Sequence, residues 1–372
     1  MAGSIMIIFN CNWSNSSEYI RTKNCVKFSR MSLRFLITGG LGYIGSHTCV
    51  ELIQQGFEVV IVDDLSNSSL SVLDGLKKIT GKTIPFLKLN LKDKNQVSKL
   101  FKVYPEISGV IHFAAYKAVG ESVLKPLEYY ENNLGSLINV IKEIEKKEND
   151  FPFIFSSSCT VYGQADKLPI DELAPIKRAE SPYGKTKQFG EEILIDASSA
   201  NDFLKVISLR YFNPVGNHRS NEIGELISGA PQNLIPFITQ TASGVYKKLS
   251  VFGDDYPTRD GTCVRDYIHV VDLAKAHVQA LNRILNKNHS KNYEVFNLGT
   301  GKGYTVLEVI KIFEKISGEK LNYEIGPRRK GDISVAYADT RKANDVLSWK
   351  AELTLEEALI SAWSWERKNR NK

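Results

Sequence analysis

Cysteine is scarce in this chain, with five in 372 residues (Cys11, Cys25, Cys49, Cys159, Cys263). They form an odd set with no Cys-x-x-Cys pair, which fits neither a disulfide framework nor a zinc site. A reducing compartment, and with it a cytoplasmic location, is the expectation. No uninterrupted apolar run approaches the roughly 18 residues of a membrane-spanning helix, so no membrane partner is expected. Clustered basic charge is also lacking: 48 Lys and Arg stand against 42 Asp and Glu, a net +6 spread along the chain except for Arg367, Lys368, Arg370 and Lys372. A nucleic-acid partner needs a basic face, and none is legible. Of only six histidines, His47, His112 and His269 fall in separate segments without ligand spacing, and no metal is assigned. There is no internal repeat or low-complexity tract. What remains is 42% hydrophobic and 24% charged, the composition of an ordinary globular chain long enough for about two domains.

Residues 1–30 are rich in Ser and Asn, carry no basic region ahead of the short apolar stretch Ile5 to Phe9, and read as a leader outside the fold, with Met31 directly before the first strand. From Leu33 the pattern alternates. Leu33 to Thr38 is a short apolar run, Tyr43 to Gln55 has helical periodicity, and Glu58 to Val62 is apolar and β-branched. Further buried strands are expected at Ile84 to Leu89, Gly109 to Phe113, Phe151 to Ser156 and Val206 to Leu209. Helices are expected near Asn95 to Tyr104, Glu128 to Lys146 and Pro182 to Ala200. Such alternation predicts an α/β fold with a doubly wound parallel sheet of the Rossmann type. The expected boundaries are a nucleotide-binding domain over 31–212 and a smaller α/β substrate domain over 213–372, some of whose elements return to the first. In the second part, helices are expected at Leu234 to Ser243, Asp272 to Leu285, Thr305 to Lys315 and Leu355 to Arg367.

Two constellations carry chemistry. After the first strand comes Thr38-Gly39-Gly40-Leu41-Gly42-Tyr43-Ile44-Gly45, leading straight into a helix. Gly39 and Gly42 permit positive φ and close backbone approach, Gly45 permits tight helix packing, and a helix N-terminus offers free N–H groups to a pyrophosphate. Asp63 ends the second strand 18 residues after Gly45, where a carboxylate accepts from both ribose hydroxyls and repels a 2′-phosphate. The cofactor expected is therefore NAD. The second constellation is Ser181-Pro182-Tyr183-Gly184-Lys185-Thr186-Lys187. Ser at the N-cap and Pro at the first helical position start a helix that puts Tyr183 and Lys187 on one face. A tyrosine acting as a base near neutrality needs its pKa of about 10 lowered by about 3 units, or ~4 kcal/mol. A nearby ammonium, the helix dipole and a positive nicotinamide ring all favour phenolate. The run Ser156-Ser157-Ser158 ends a strand, where such sheets bind ligands.

With these residues in view, the chain resembles the extended short-chain dehydrogenase/reductase family, and within it the UDP-hexose 4-epimerases. The resemblance runs from about Leu33 to Trp365 and includes His112-Phe113-Ala114-Ala115-Tyr116-Lys117-Ala118-Val119-Gly120-Glu121-Ser122, Pro126-Leu127-Glu128-Tyr129-Tyr130, Arg210-Tyr211-Phe212-Asn213-Pro214-Val215-Gly216 and Val264-Arg265-Asp266-Tyr267-Ile268-His269-Val270. The resemblance implies catalytic roles for Ser158, Tyr183 and Lys187. It implies NAD contacts at Tyr43, Ile44, Asp63, Asp64, Leu65, Ser66, Asn67, Ser68, Asn90, Leu91, Phe113, Ala114, Ala115, Tyr116, Lys117, Asn132 and Phe212. A UDP-sugar would meet Asn213, Asn233, Leu234, Ser250, Val251, Phe252, Arg265 and the stretch Arg329 to Asp332. Arg265 and Arg329 bring forked donors to a diphosphate. In the family the position four residues after Asp332, here Ala336, lines the pocket around the sugar's 2-substituent. The family pattern is not followed everywhere: Asn90 stands where Asp is usual, and Ala115-Tyr116 replaces Gly-Leu beside the nicotinamide.

The implied activity is NAD-dependent interconversion of UDP-glucose and UDP-galactose, in galactose metabolism, through a 4-keto sugar, with extension to the N-acetylated pair because Ala336 is small. A homodimer built from helices beside the active site is also implied. Two alternatives stand against this. A nucleotide-sugar 4,6-dehydratase or decarboxylase shares the first oxidation, but dehydration needs an additional acid and base, typically Asp-Glu just after the catalytic Ser or Thr; here those positions are Cys159 and Thr160. A non-catalytic NAD-binding regulator would keep the glycine loop and lose the Tyr-Lys pair, and both residues are present.

Overall fold

The computed structural model describes residues 33–370 apart from positions 148, 228, 232 and 330; the expected leader over 1–30 and Lys330 lie outside these residues. The first part of the chain runs β1 (Arg34–Thr38), α1 (Tyr43–Gln54), β2 (Glu58–Asp63), α2 (Ser71–Thr80), β3 (Phe86–Lys88), α3 (Lys94–Val103), β4 (Ile107–His112), α4 (Val119–Leu124), α5 (Pro126–Ile144), β5 (Phe151–Ser158), α6 (Pro182–Ala200) and β6 (Leu204–Tyr211). The second part runs β7 (Asn213–Val215), α7 (Leu234–Ala242), β8 (Leu249–Phe252), β9 (Val264–Arg265), β10 (Tyr267–His269), α8 (Val270–Leu285), β11 (Tyr293–Leu298), β12 (Tyr304–Thr305), α9 (Val306–Ser317), β13 (Tyr323–Gly326), β14 (Val335–Ala336), α10 (Arg341–Asp345) and α11 (Leu355–Arg370).

Seven parallel strands in the order β11-β6-β5-β4-β1-β2-β3 form the main sheet. Its inner strands are mostly apolar and buried because both faces are covered. Successive side chains alternate, so Phe35 and Ile37 enter the core under α1, α2 and α8 with Leu52, Leu76, Leu273 and Leu281. Leu36 turns the other way, into the core under α3, α5 and α6 with Val97, Leu137, Phe153 and Leu194. Each such side chain contributes roughly 1.5–3 kcal/mol on burial. The doubly wound parallel sheet expected from the sequence is the fold. A third core, with Ile238, Val251, Ile310, Phe313 and Leu359, joins α7, β8, α9 and α11. Between these last elements, β11 returns to the free edge of β6 in register from Tyr293↔Val206 to Leu298↔Tyr211.

The expected strands and helices are all present, with ends moved by a few residues. Phe86–Lys88 is shorter than the expected strand because it pairs only with β2, at the sheet edge. Three helices, α2, α4 and α10, and strand β11 of the main sheet were not anticipated. Gly75 in the middle of α2 weakens its helical signal, and tertiary packing requires it: a Cβ there would stand 2.4 Å from the Glu222 carbonyl oxygen. The strand order reverses between β1 and β4, and the loops after these two strands therefore open a crevice at the carboxyl end of the sheet.

Candidate active site

The glycine loop occupies that crevice. Gly39 has φ +66, and a Cβ on it would lie 2.8 Å from the Ala114 backbone nitrogen, so only glycine lets the loops after β1 and β4 touch. Gly45 is equally constrained, its Cβ falling 2.5 Å from the Gly39 carbonyl oxygen. Gly42 corrects the sequence expectation: it is the extended N-cap of α1, with φ −69, and uses no left-handed conformation. Its side-chain-free N-cap leaves the first turn of α1 unblocked, with no hydrogen-bonding side chain over it. At the end of β2, Asp63 accepts from Leu41 N (3.1 Å), Leu65 N (3.0 Å) and Ser68 Oγ (2.8 Å). These bonds fold the 63–68 loop around the carboxylate; Leu65 takes φ +63, and Asp64 caps Ser66 N. The cradle and the Asp63 carboxylate with no flanking Arg suit a dinucleotide with free ribose hydroxyls.

The remaining residues expected to meet the cofactor lie in the loops after β3, β4 and β6 and on α5. The Phe113 ring packs on His277 at 4.8 Å, and Ala114 closes on Gly39. Tyr116 stacks edge-on to Tyr129, and Lys117 pairs with Glu225 at 2.9 Å. Asn90 keeps its acceptor role by capping Lys92 N (2.9 Å), with Leu91 buried beside it. Asn132 is buried and donates to Asn133. Asn133, which the sequence did not single out, is the hub: it accepts from Tyr116 N and donates to Tyr116 O and Thr186 Oγ1. It thereby ties the loop after β4 to the helix that carries Tyr183.

Helix α6 begins as its sequence requires. Ser181 caps Gly184 N at 3.1 Å, with Pro182 in the first turn. Tyr183 and Lys187 share a face, the ammonium 5.9 Å from the phenol ring centroid. Lys187 is buried, donates to Ser156 O at 2.6 Å and lies 5.0 Å from the Phe155 ring centroid. Ser158, at the end of β5, caps Thr160 N at 3.2 Å. Burial pushes the Tyr183 phenol up to about 12, the Ser158 hydroxyl partly offsetting this, while burial pushes the Lys187 ammonium down to about 7 against the pull of Glu191. The sequence expectation of a lowered phenol is therefore not met by these side chains alone. Desolvation of the phenol is the dominant cause.

The expected substrate residues converge. Asn213, Asn233, Leu234, Ser250, Val251, Phe252, Arg265, Arg329 and Asp332 line one cleft of about 440 Å³, which also reaches Tyr43 of the glycine loop. The Tyr43 hydroxyl donates to the Gly216 carbonyl, joining α1 to the cleft wall. Asp332 holds Arg329 through Nη2 (2.8 Å) and Nε (3.1 Å), with Arg265 Nη2 at 4.0 Å, so both guanidinium groups are presented together. Phe212 and Ala336 lie just behind, in a buried cluster with Val161, Tyr162, Ile170 and Ala338. Tyr337 faces the other way, into a separate surface hollow with Leu168 and Arg259. Trp365 and Glu225 also border the cleft and gave no signal in the sequence, because they reach it from distant segments. Among the described residues, no group of three or more His, Cys, Asp or Glu is placed to hold a metal ion.

Comparison with known proteins places this geometry among relatives. A family model described as GDP-mannose 4,6 dehydratase matches residues 36–361. A UDP-glucose 4-epimerase of Bacillus subtilis is 50% identical over 339 residues, covering 91% of this chain and 98% of the relative. The crystal structure of a UDP-glucose 4-epimerase from Bifidobacterium longum in complex with NAD+ and UDP superposes with a TM-score of 0.86 at 47% identity, covering 91% of this chain and 99% of that one. Another, from Stenotrophomonas maltophila with bound NAD and formylated UDP-arabinopyranose, gives 0.87 at 44% identity over the same shares.

Proposed function

We infer the chemistry of this chain from the family to which it belongs, the UDP-glucose 4-epimerases within the extended short-chain dehydrogenases/reductases. It is an NAD-dependent isomerase that interconverts UDP-glucose and UDP-galactose. The observation that carries the residue assignments is the grouping of Tyr183 and Lys187 on one face of α6 with the Ser158 hydroxyl beside the phenol, together with a cleft that runs from Tyr43 of the glycine loop to Arg265 and Arg329. NAD, when bound, supplies a reversible hydride acceptor for carbon 4 of the sugar. Gly39, Gly45 and the open N-terminus of α1 would hold its pyrophosphate, and Asp63 its ribose hydroxyls. Tyr183 Oη takes the proton of the 4-hydroxyl and later returns it, Ser158 holds the reacting oxygen, and the Lys187 ammonium stabilises the phenolate. Arg265 and Arg329 anchor the diphosphate, which leaves the keto sugar free to turn and present its opposite face. Cys159 and Thr160 supply no acid-base pair for dehydration. With three unpaired cysteines among the described residues, we place the enzyme in the cytoplasm.

Two finer features follow. Ala336 is buried beside Phe212 and Val161 while Tyr337 lines a separate hollow, so neither side chain stands in the cleft, and on the small size of Ala336 we rest the acceptance of a 2-acetamido group. Purified protein incubated with UDP-galactose and with UDP-N-acetylgalactosamine, with and without added NAD, is expected to convert both. Ala336→Tyr is expected to lower kcat/KM for the N-acetylated sugar by 10-fold or more while UDP-galactose turnover stays within about threefold. Equal loss for both sugars would remove Ala336 as the gate, and no conversion of UDP-galactose by the wild type would overturn the activity.

The second feature is assembly. Leu124 and Leu127 are 83% and 80% exposed at the start of the α4–α5 region, and Phe189 and Ile195 are exposed on α6. Exposed apolar side chains on the packed helices α5 and α6 suit the self-complementary face of a two-fold dimer. Leu127→Glu is expected to halve the sedimenting mass; an unchanged mass, or a monomeric wild type, would contradict this.

A further inference from the structure

Beneath the catalytic residues lies a buried ion pair that the reaction as described does not use. Glu191, one turn after Lys187 on α6, is bound by Arg210 of β6 through Nε (2.9 Å) and Nη2 (2.6 Å), and both side chains are less than a tenth exposed. Glu191 Oε1 also accepts from Ser157 Oγ at 2.5 Å. Ser157 stands between Ser156, whose carbonyl receives the Lys187 ammonium, and Ser158. Arg210 continues the chain: Nη1 donates to Tyr162 Oη (2.8 Å), which donates to Asn297 Oδ1 (2.7 Å). One carboxylate thus grips the strand end carrying the serines, the helix carrying Tyr183 and Lys187, and the neighbouring strand.

We propose that Glu191 is the positioning residue of the proton-transfer site: it fixes the end of β5 through Ser157 and keeps Lys187 charged, with Arg210 setting how much of its negative charge Lys187 feels. This rests on the roles given above to Tyr183 and Lys187. Lys187 has a neutral carbonyl as its hydrogen-bond partner and an aromatic ring beside it, so the carboxylate one turn away is its closest source of opposite charge along the helix. Of the other ionisable groups, His112 of β4 and Tyr183 of α6 lie near Lys187, Tyr211 of β6 interacts with Tyr183, and Arg210 of β6 and Tyr293 of β11 interact with Glu191. Burial holds His112 neutral, its ring lowered to about 3, and raises Tyr183 and Tyr211. Glu191 and Arg210 are then the charges that bias Lys187.

The signs follow from that arrangement. Glu191→Gln removes a negative charge and leaves the Arg210 guanidinium uncompensated, so the Lys187 proton is lost at lower pH. The alkaline limb of kcat is expected to move down by about one pH unit, with kcat at its optimum down 10-fold or more and KM within about threefold. Glu191→Gln combined with Arg210→Met removes both charges, and the limb is expected to return to within about 0.3 units of the wild type. Glu191→Asp keeps the charge while shortening the reach to Ser157; its limb stays in place while kcat falls. The Lys187 ammonium, followed by nitrogen NMR in the NAD-loaded protein without substrate, is expected to titrate with the same shifts. This separates the two claims: an inactive wild type overturns the reaction, whereas an active wild type whose Lys187 titration is unmoved by Glu191→Gln overturns the role of Glu191. A shift that the double variant does not reverse also overturns it. Should Glu191→Gln fail to retain NAD, Glu191→Asp decides, and a displaced limb in that variant counts against the proposal.

Discussion

Tyr183→Phe is expected to lower turnover by at least about 10²-fold, the contribution of a positioned general base, while the protein still folds and still retains NAD. The substitution removes one hydroxyl, and the cradle proposed for the cofactor is built elsewhere, by Gly39, Gly45 and Asp63. The ring keeps its place because the helix start is set by Ser181 and Pro182 and not by the phenol. Lys187→Met should lose most of the activity as well, since it takes away the cation beside the phenol and the bond to Ser156 O. Steady-state assays with UDP-galactose, alongside bound-nucleotide content and thermal melts, distinguish the outcomes. If Tyr183→Phe kept more than a tenth of wild-type turnover, another group would be moving the proton.

Gly39→Ala carries the largest structural effect. At φ +66 an L side chain costs roughly 1–2 kcal/mol, and the added methyl would meet the Ala114 backbone at 2.8–3.0 Å, where no flexible side chain can give way. Overpacking of that kind adds roughly 1–3 kcal/mol. The loops after β1 and β4 must then separate, opening the crevice that receives the cofactor, so the variant should melt several degrees lower and purify largely free of nucleotide. Melting at the wild-type temperature with full NAD content would show that the two loops do not depend on this contact.

Six of the seven strands of the main sheet were legible as short, largely apolar runs alternating with helical periods; β11 was not, because it returns to the sheet from the second part of the chain. The site was legible where residues act close together in sequence: the glycine turn, the Ser181-Pro182-Tyr183 helix start, the serine run. It was not legible where distant segments meet. Gly75 reads as a helix breaker until Glu222 is seen against it. Asn133 looks like any helical asparagine until Tyr116 and Thr186 are seen on either side. The ionisation of Tyr183 is of the same kind, since proximity to Lys187 suggests a lowered phenol whereas burial, which local spacing does not report, raises it.

The return of β11 to the edge of β6 has a consequence for biosynthesis. Every strand from β1 to β6 can pair as it leaves the ribosome, but the outer edge of β6 waits for a segment that begins about 80 residues later. At 5–20 residues per second that is an interval of roughly 4–16 s. During it, the backbone groups of an eight-residue strand bearing Arg210 and Tyr211 stand unpaired beside other nascent chains, a template for wrong strand addition. Synthesis interrupted within that interval would leave a chain already holding its nucleotide loop and its Tyr-Lys helix yet unable to close its sheet. Premature termination there therefore yields material for chaperones and proteases, and not a smaller working enzyme.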